Sequence, residues 1–298
     1  MSHINRFTIS NAAKALGGAS FAVALSTAIT SCTSTTTKHS EDHAQSSEPV
    51  EIACNNYQTV VTPIGNLVNN VWNEHSAVDY DWHQCMATRE VDGETQYGWV
   101  WDWPENGTEI YAQPQITLGQ NPWTGHPEPF DGYPIPVDTL EELSFDYDVE
   151  INTNGKLNLS ATFWMTTSAV IQKEARKDTI AAEFMIWTYA NEGFYPTPAG
   201  SKFGEITASG VEWEVWVHRQ WHDTSGLNDN KWIYIAFRTK ENALKIKYDA
   251  AELIAYSIEK GLISKDLYIA DIHLGNEVMS GQGDAWLKKF DVVIREKE

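Results

Sequence analysis

Short runs in which apolar and polar residues alternate recur along most of this 298-residue chain, and no other feature constrains its fold as strongly. In the run Leu143–Ile151 every second residue is apolar, which places these side chains on one face of a strand. Gly, Pro, Asn and Asp bound the runs; the other clear examples are Leu157–Thr166, Ile180–Thr188, Val211–His218, Lys231–Arg238 and Leu287–Ile294. The pattern predicts an all-β fold, a sandwich of two stacked antiparallel sheets.

One segment has helical rather than strand periodicity. Asp249 at the N-cap and Glu252 at the third helical position resemble a capping box, and Gly261 suits the position just after a helix. Between them lies an apolar stripe at helical spacing, formed by Leu253, Ile254 and Ile258. The sequence therefore predicts one helix packed on the outside of the sandwich.

Residues 1–31 have the features of a secretory signal peptide. Arg6 and Lys14 give a basic start, Ala19–Ile29 is apolar and rich in small residues, and the first acidic residue is Glu41. The segment ends in Ile-Thr-Ser before Cys32, which resembles a bacterial lipoprotein processing box in which Cys32 becomes the lipidated first residue. We expect an exported lipoprotein that contacts a membrane only through this anchor. The alternative is an ordinary signal peptide and a secreted protein.

Residues 32–50 are predicted to be a flexible tether, because Thr33–Pro49 contains nothing apolar larger than Ala before its closing Pro. From residue 51 to 298 we find no second linker and no internal repeat, which predicts one folded domain. Its partner is not expected to be nucleic acid, because 21 Lys and Arg against 41 Asp and Glu give a formal charge of −20.

The cysteines indicate a disulfide rather than a metal site. Cys54 and Cys85 lie beyond the tether, and in an exported chain they are expected to form one disulfide that closes a loop of about 31 residues. The sequence contains neither a Cys-x-x-Cys nor a His-x-His pair, and its nine His are scattered. We therefore expect no metal site.

Two acidic residues stand out by their position on strands. On a strand, Glu183 shares a face with Met185 and Trp187, and near the C-terminus Glu277 shares a face with His273. Thirteen Trp and twelve Tyr provide flat rings of the kind that stack on sugars. Two carboxylates on one concave face would suit glycosidic hydrolysis, with one as nucleophile and the other as general acid and base. For His273 a structural role is the simpler interpretation.

Six short motifs, in order, resemble glycoside hydrolase family 12, the retaining enzymes that cleave β-1,4-glucans on a β-jelly-roll sandwich. The resemblance runs from about residue 52 to residue 294. The motifs are Cys54-Asn-Asn-Tyr57, Asn69-Asn-Val-Trp72, Tyr111-Ala-Gln-Pro114, Gly119-Gln-Asn-Pro-Trp123, Glu183-Phe-Met-Ile-Trp187 and Gly275-Asn-Glu277.

The resemblance implies a role for each matching residue. Glu183 takes the position of the nucleophile and Glu277 that of the acid/base residue. By the same resemblance, Tyr57 and Trp72 would stack on sugar rings, and Asn70 would form a hydrogen bond near the nucleophile. Met185 and Trp187 would form the floor of the cleft, and Cys54 would pair with Cys85. It further implies residues 51–298 as the catalytic domain, a concave substrate cleft, a β-glucan substrate and no cofactor; we expect a monomer.

The chain departs from the family at one position. Many members carry an Asp that hydrogen-bonds the nucleophile, and the alignment places Thr162 there. A hydroxyl can donate a hydrogen bond to Glu183 without adding a like charge, which would tune the pKa of the nucleophile differently. Two other interpretations stay open at this level: a non-catalytic glucan-binding lipoprotein on the same fold, and a hydrolase specific for mixed-linkage glucan or xyloglucan.

Overall fold

The structure, a computed structural model, describes residues 46–125, 132–171, 177–222 and 229–297. The predicted signal peptide, Cys32 and the tether up to residue 45 lie outside these ranges. Within them, one α-helix and two 3₁₀ turns accompany strands that follow one another along the chain. The strands are β1 Val50–Ala53, β2 Thr59–Thr62, β3 Gly65–Val68, β4 His83–Val91, β5 Glu94–Trp103, β6 Gln115–Gly119, β7 Ile135–Pro136, β8 Leu140–Thr153, β9 Lys156–Thr166, β10 Ile180–Ala190, β11 Ser201–Ala208, β12 Val211–His222, β13 Lys231–Thr239, β14 Lys245–Asp249, β15 Tyr268–Gly275 and β16 Val278–Glu296. The helix is α1 Ala250–Glu259, and the turns are Glu74–Ser76 and Lys177–Thr179.

The strands form two layers. The outer sheet has the order β1-β4-β5-β16-β8-β14, and the inner sheet the order β2-β3-β6-β15-β9-β10-β13-β12-β11, with β7 beside β15. The two layers are joined where the start of β16 pairs with the start of β9. The predicted all-β sandwich is confirmed. Its pairing differs in one place, because β10 and β13 run parallel in the described part of the chain, where every other ladder is antiparallel.

Alternating side chains from both sheets fill the space between them. On the inner sheet, Phe163, Phe184 and Phe237 come from the neighbouring strands β9, β10 and β13 and stack at centroid distances of 4.7 and 5.1 Å. All three are fully buried, and burial of each ring contributes roughly 1.5–3 kcal/mol. This stacked row fixes which face of β10 points inward, and hence which face carries the remaining residues.

The predicted strand positions are confirmed, and the largest difference is at the C-terminus. The alternation indicates a last strand from Leu287, whereas β16 already begins at Val278. The first part of β16 contains Gly281, which has a φ of +73° and lies so near Gly155 that a Cβ atom would be 2.5 Å from its Cα. Such a glycine-rich stretch carries no alternating pattern, which explains why the sequence does not indicate it.

The helix forms where the sequence predicts it, with a different hydrogen-bond pattern at its start. The Asp249 carboxylate accepts a bond from the Ala251 N–H at 2.9 Å, as an N-cap does. Glu252 does not complete a capping box. Its carboxylate accepts bonds from the N–H and hydroxyl of Ser209, and the Ser209 hydroxyl also accepts from the Asp249 N–H. Gly261, with a φ of +64°, follows the helix as expected.

The predicted disulfide is present between Cys54 and Cys85, 31 residues apart, and it joins the end of β1 to β4. The chain is ordered beside β4 before the predicted end of the tether. Ser46 pairs with Val91, and the Ser47 N–H donates to the Glu90 carbonyl at 2.8 Å. Among the described residues, no helix has the length and apolar character needed to span a membrane.

Candidate active site

Strand β10 presents two different faces. Ala182, Phe184 and Ile186 point into the core between the sheets. Glu183, Met185 and Trp187 alternate with them and therefore lie on the open face of the inner sheet. The alternation that the sequence indicates for this strand is thus the arrangement in the structure.

The open face is recessed rather than flat. Met185 and Trp187 are each only 3% exposed although they point away from the main core. They belong to a second apolar cluster on this face, whose other members are Phe194, Tyr234, Ala236 and Met279. Side chains this deeply buried on an outward face require walls around them, so the open face forms a cleft with an apolar floor.

Glu183 lies in this cleft beside an indole donor. The Trp232 Nε1–H donates a hydrogen bond of 2.9 Å to Glu183 Oε2. Burial raises the pKa of Glu183 to about 7, and the Trp232 bond acts in the opposite direction because it stabilises the ionised form. Glu183 therefore titrates near neutral pH, which is unusual for a surface carboxylate and typical of a catalytic one.

Three indole rings lie together beside Glu183. Trp232 contacts Trp123 and Trp164 edge to face at centroid distances of 5.1 and 5.6 Å, and Trp123 and Trp164 contact each other at 5.2 Å. Trp164 is directly opposite Glu183 in the pairing of β9 with β10. These rings form an indole triad next to Glu183, whose pKa is raised by burial.

Glu277 follows directly after β15 and is held by a single side chain. Asn158 Nδ2 donates to Glu277 Oε2 at 2.5 Å, and the Glu277 N–H donates to Asn158 Oδ1 at 2.9 Å. Burial raises the pKa of Glu277 to about 8; the Asn158 bond lowers it, and the charge of Glu183 raises it further. The charge of Glu183 therefore helps to keep Glu277 protonated.

The sequence Gly-Asn-Glu has a structural reason at each position. A Cβ atom on Gly275 would lie 2.4 Å from the Pro114 carbonyl oxygen, so only glycine fits there. Asn276 is fully buried, and its Oδ1 accepts a bond from Trp99 Nε1 at 2.5 Å. These two residues anchor the turn that projects Glu277 into the cleft.

Tyr234 lies within electrostatic reach of both carboxylates. Burial raises its pKa well above the usual range, and the charges of Glu183 and Glu277 raise it further. Its hydroxyl points to Met185 Sδ at 3.4 Å. Tyr234 therefore stays neutral and belongs to the apolar cluster beside Glu183, on the neighbouring strand β13.

The structure corrects two expectations about the surroundings of the nucleophile position. Thr162 is opposite Met185 in the β9–β10 ladder, and the side-chain donor that reaches Glu183 is Trp232 instead. Asn70 donates to Gln115 Oε1 at 3.3 Å, and Gln115 is on β6, three strands away from β10. Side-chain partners depend on how the strands pair, and a local motif does not determine that pairing.

The remaining predicted residues lie beside β2 and β3 of the inner sheet, Tyr57 before β2 and Trp72 after β3. Tyr57 is 49% exposed and Trp72 is 40% exposed, so both rings are open to a ligand. Tyr57 is fixed by a backbone bond to Asn69, and Trp72 by one to Tyr111. These exposed aromatic residues contrast with the buried Trp187 at the cleft floor.

One cluster of metal-ligand types exists in the described part of the chain, away from the cleft. Glu51, His83 and Cys85 have ligand atoms within 4.8 Å of one another. The Cys85 sulfur is bonded to Cys54, so it is not available as a thiolate ligand. The remaining two groups form an exposed pair in which His83 Nε2 lies 2.8 Å from Glu51 Oε1.

Comparisons with known proteins agree with this geometry. Among curated proteins, the chain is 22% identical over 231 residues to "Endoglucanase S" of Pectobacterium parmentieri, covering 77% of this chain and 81% of that protein. It is 23% identical over 232 residues to the "Probable xyloglucan-specific endo-beta-1,4-glucanase A" of Aspergillus clavatus, covering 76% and 85%.

Solved structures show the same fold. A native family 12 xyloglucanase from Bacillus licheniformis superposes with a TM-score of 0.69 at 22% identity, covering 84% of this chain and 100% of that one. The endoglucanase cel12A from Rhodothermus marinus superposes with a TM-score of 0.61 at 21% identity, with the same coverage. The profile described as "Glycosyl hydrolase family 12" matches residues 64–293. The chain therefore belongs to glycosyl hydrolase family 12 and is a glycoside hydrolase.

Proposed function

We propose that this chain is an exported, retaining endo-β-1,4-glucanase that cuts a soluble or cell-wall β-glucan by double displacement. The observation that carries the proposal is the pair of partly buried carboxylates, Glu183 and Glu277, which face one cleft and have pKa values raised to about 7 and about 8. The printed names of two relatives, an endoglucanase and a probable xyloglucan-specific endo-β-1,4-glucanase, support the substrate class.

The two carboxylates receive different roles because their surroundings differ. Glu277 has the higher pKa, partly because of the charge on Glu183, so it holds a proton at a pH where Glu183 is ionised. Glu183 accepts the Trp232 N–H, which favours its ionised form. Glu277 is therefore the general acid in the first step, and Glu183 is the nucleophile.

The reaction proceeds in two balanced steps. In the first, the Glu183 carboxylate attacks the anomeric carbon, the glycosidic C–O bond breaks, and the Glu277 proton passes to the departing oxygen. In the second, ionised Glu277 takes a proton from water, and the water oxygen attacks the anomeric carbon and releases Glu183. The product keeps the configuration of the substrate, and no oxidant or cofactor takes part.

Substrate binding is assigned to the aromatic and apolar residues along the cleft. Trp72 and Tyr57, both exposed, would stack on sugar rings on the non-reducing-end side. Met185 and Trp187 would form the floor next to Glu183. Cellulose-type glucan, mixed-linkage glucan and xyloglucan all fit this description, and the polymer that is cut fastest defines the specificity.

The alternative function is glucan binding without catalysis. The same cleft and exposed rings would serve it, but binding alone does not require two partly buried carboxylates with raised pKa values. We further propose that the protein acts as a monomer attached to a membrane surface by a lipid on Cys32, since the sequence has the pattern of a lipoprotein signal.

The first test is release of reducing ends from mixed-linkage β-glucan, xyloglucan and carboxymethylcellulose by the mature chain. The hydrolase proposal predicts that Glu183→Gln abolishes release. The matched control is Glu90→Gln, because Glu90 is an exposed glutamate on β4 of the outer sheet. Retained binding to glucan without any hydrolysis by the unmodified chain would support the alternative.

A second measurement tests the mechanism. A 2-deoxy-2-fluoro aryl β-cellobioside should inactivate the enzyme and leave a fluorosugar on the peptide that contains Glu183, because a stable glycosyl-enzyme forms only in double displacement. Product anomers followed by NMR should show retention. Inversion, or labelling of the peptide with Glu277, would overturn the assignment of roles.

A further inference from the structure

One buried histidine in the cleft is not used by the proposed mechanism. His273 on β15 is only 3% exposed, and within the described residues its Nδ1 atom is buried without a hydrogen-bond partner. A buried polar nitrogen without a partner costs stability unless something else repays it. The open face of the inner sheet is where His273 lies, since it pairs with Thr162 and Thr117, which occupy that face.

His273 is oriented by a second buried group. The carboxylate of Asp271 is fully buried, with its Oδ2 atom 3.6 Å from His273 Nδ1. That distance is too long for a hydrogen bond, so the contact is electrostatic. Asp271 is itself fixed, because Asn121 Nδ2 and the Trp164 N–H donate to its two oxygens at 3.1 and 3.2 Å. The Nδ1 edge of His273 therefore faces Asp271, which leaves the Nε2 edge for another partner.

The strand register places His273 between the two carboxylates. Along β9, Asn158 contacts Glu277 and Trp164 is opposite Glu183. Thr162 lies between these two positions, and His273 is directly opposite Thr162. Thr162 and His273 thus belong to one row of paired residues that runs across the strands. A glucan that crosses the strands between Glu183 and Glu277 therefore passes over this row.

The row also has a direction. From the nucleophile strand it runs through Met185, Thr162, His273 and Thr117 to Asn66 on β3. Asn66 Oδ1 is likewise buried and without a partner among the described residues. This polar end of the row lies on the same side as the segments that carry Tyr57 and Trp72, the proposed non-reducing-end side.

We infer that His273 is a substrate-binding residue, which hydrogen-bonds through Nε2 to a hydroxyl of the sugar on the non-reducing side of the scissile bond, and that Asp271 is its positioning residue. The inference rests on the proposed function, because it takes the direction of the glucan from it. The ligand class is a β-glucosyl residue, whose ring hydroxyls can donate to or accept from the imidazole.

The test compares variants on an aryl β-cellobioside, whose two sugars occupy only the non-reducing side. His273→Phe keeps a planar ring without nitrogen and should lower kcat/KM roughly tenfold, as loss of one buried hydrogen bond would. His273→Gln retains an amide donor and acceptor and should recover most of this loss. The matched control is His83→Phe, since His83 is an exposed histidine beside a glutamate and should show no change.

Substrates that each lack one hydroxyl distinguish substrate binding by His273 from a purely structural role. With the unmodified enzyme, one of these deoxy-cellobiosides should react about tenfold more slowly, and His273→Phe should show no further loss with that substrate. The inference is wrong if each deoxy substrate is slowed, relative to the parent cellobioside, by the same factor in the unmodified enzyme and in His273→Phe. It is also wrong if folded His273→Phe keeps its full kcat/KM. Asp271→Asn should reproduce part of the loss without changing the identity of the sensitive hydroxyl.

Failure of the proposed function would give a different result. If the unmodified chain hydrolyses nothing, cellotriose binding by calorimetry replaces kcat/KM as the measurement, and His273→Phe should then weaken binding roughly tenfold. Unchanged binding in that variant would overturn the inference independently of catalysis. If His273→Phe does not fold, the decision rests on His273→Leu, which also lacks a hydrogen-bonding group and for which one deoxy substrate must lose its selective defect relative to the unmodified enzyme.

Discussion

The hydrogen bond from Trp232 to Glu183 permits a quantitative test of how the nucleophile is tuned. Trp232→Phe removes the Nε1–H that lies 2.9 Å from Glu183 Oε2. An aromatic ring remains to pack against Trp123 and Trp164. The substitution therefore removes the donor and keeps an aromatic ring in the indole triad.

The expected magnitude follows from the value of a hydrogen bond to a charged group, about 1.5–3 kcal/mol. Because the cleft admits some water, we take the lower end, which corresponds to roughly one pKa unit. The pKa of Glu183 should therefore rise by about one unit from about 7. Only ionised Glu183 can attack, so kcat/KM should fall about fivefold at pH 7 and about tenfold at pH 6, with the acid limb of the profile moved to higher pH.

The assay is kcat/KM for an aryl β-cellobioside from about pH 5 to pH 9, with near-ultraviolet circular dichroism to check folding. Trp164→Phe is the matched control: it removes another indole of the triad and leaves the Trp232–Glu183 bond in place. Its acid limb should stay near that of the unmodified enzyme. A folded Trp232→Phe enzyme with an unmoved acid limb would refute the reasoning, because the donor would then contribute nothing to the ionisation of Glu183.

Three further outcomes follow from the structure. Glu277 has a pKa raised to about 8, so between about pH 4.5 and pH 8 the folded state holds a proton that the unfolded state releases, and its contribution to stability falls as pH rises. Glu277→Gln should thus be more stable than the unmodified chain by about 1–2 kcal/mol at pH 8 and equal at pH 4.5, in urea unfolding; equal stability at both would contradict this. Replacing Cys54 and Cys85 by Ser opens a 31-residue loop and should cost roughly 3–4 kcal/mol, seen as a lower Tm. Trp72→Ala should raise KM for cello-oligosaccharides roughly tenfold with little change in kcat, whereas Tyr97→Ala on the outer sheet should leave KM unchanged.

The strands could be predicted from the sequence because a half-buried strand alternates apolar and polar residues, and this alternation is visible in the sequence itself. In β10 the alternation of Phe184 with Glu183 and Met185 is enough to distinguish a core face from a cleft face. The motif around Glu277 is equally local, since Gly275 and Asn276 shape the turn by direct contacts. Features that depend on neighbouring residues in the chain are therefore accessible to sequence reasoning.

Partners that are distant in sequence could not be predicted in this way. Trp232 reaches Glu183 because β13 runs parallel to β10 in one register, and a shift by one residue would turn the indole to the other face. Glu252 pairs with Ser209, 43 residues away, although its local pattern indicates a capping box. In both cases a tertiary contact competes with, or adds to, the local preference, and only the topology decides which one forms.

The influence of the Glu183 charge on Glu277 explains how one residue can serve as acid and then as base. The charge of Glu183 contributes to the raised pKa of Glu277, and it disappears when Glu183 becomes bonded to the sugar. The pKa of Glu277 should then fall, so the proton it has just donated is not regained and the carboxylate is free to activate water. Glu183→Gln mimics this loss of charge. By carbon NMR titration, Glu277 should show a lower pKa in Glu183→Gln than in the unmodified chain, while burial keeps it above that of an exposed glutamate. An unchanged pKa would mean that burial alone sets the acid, and that the switch to base has another origin.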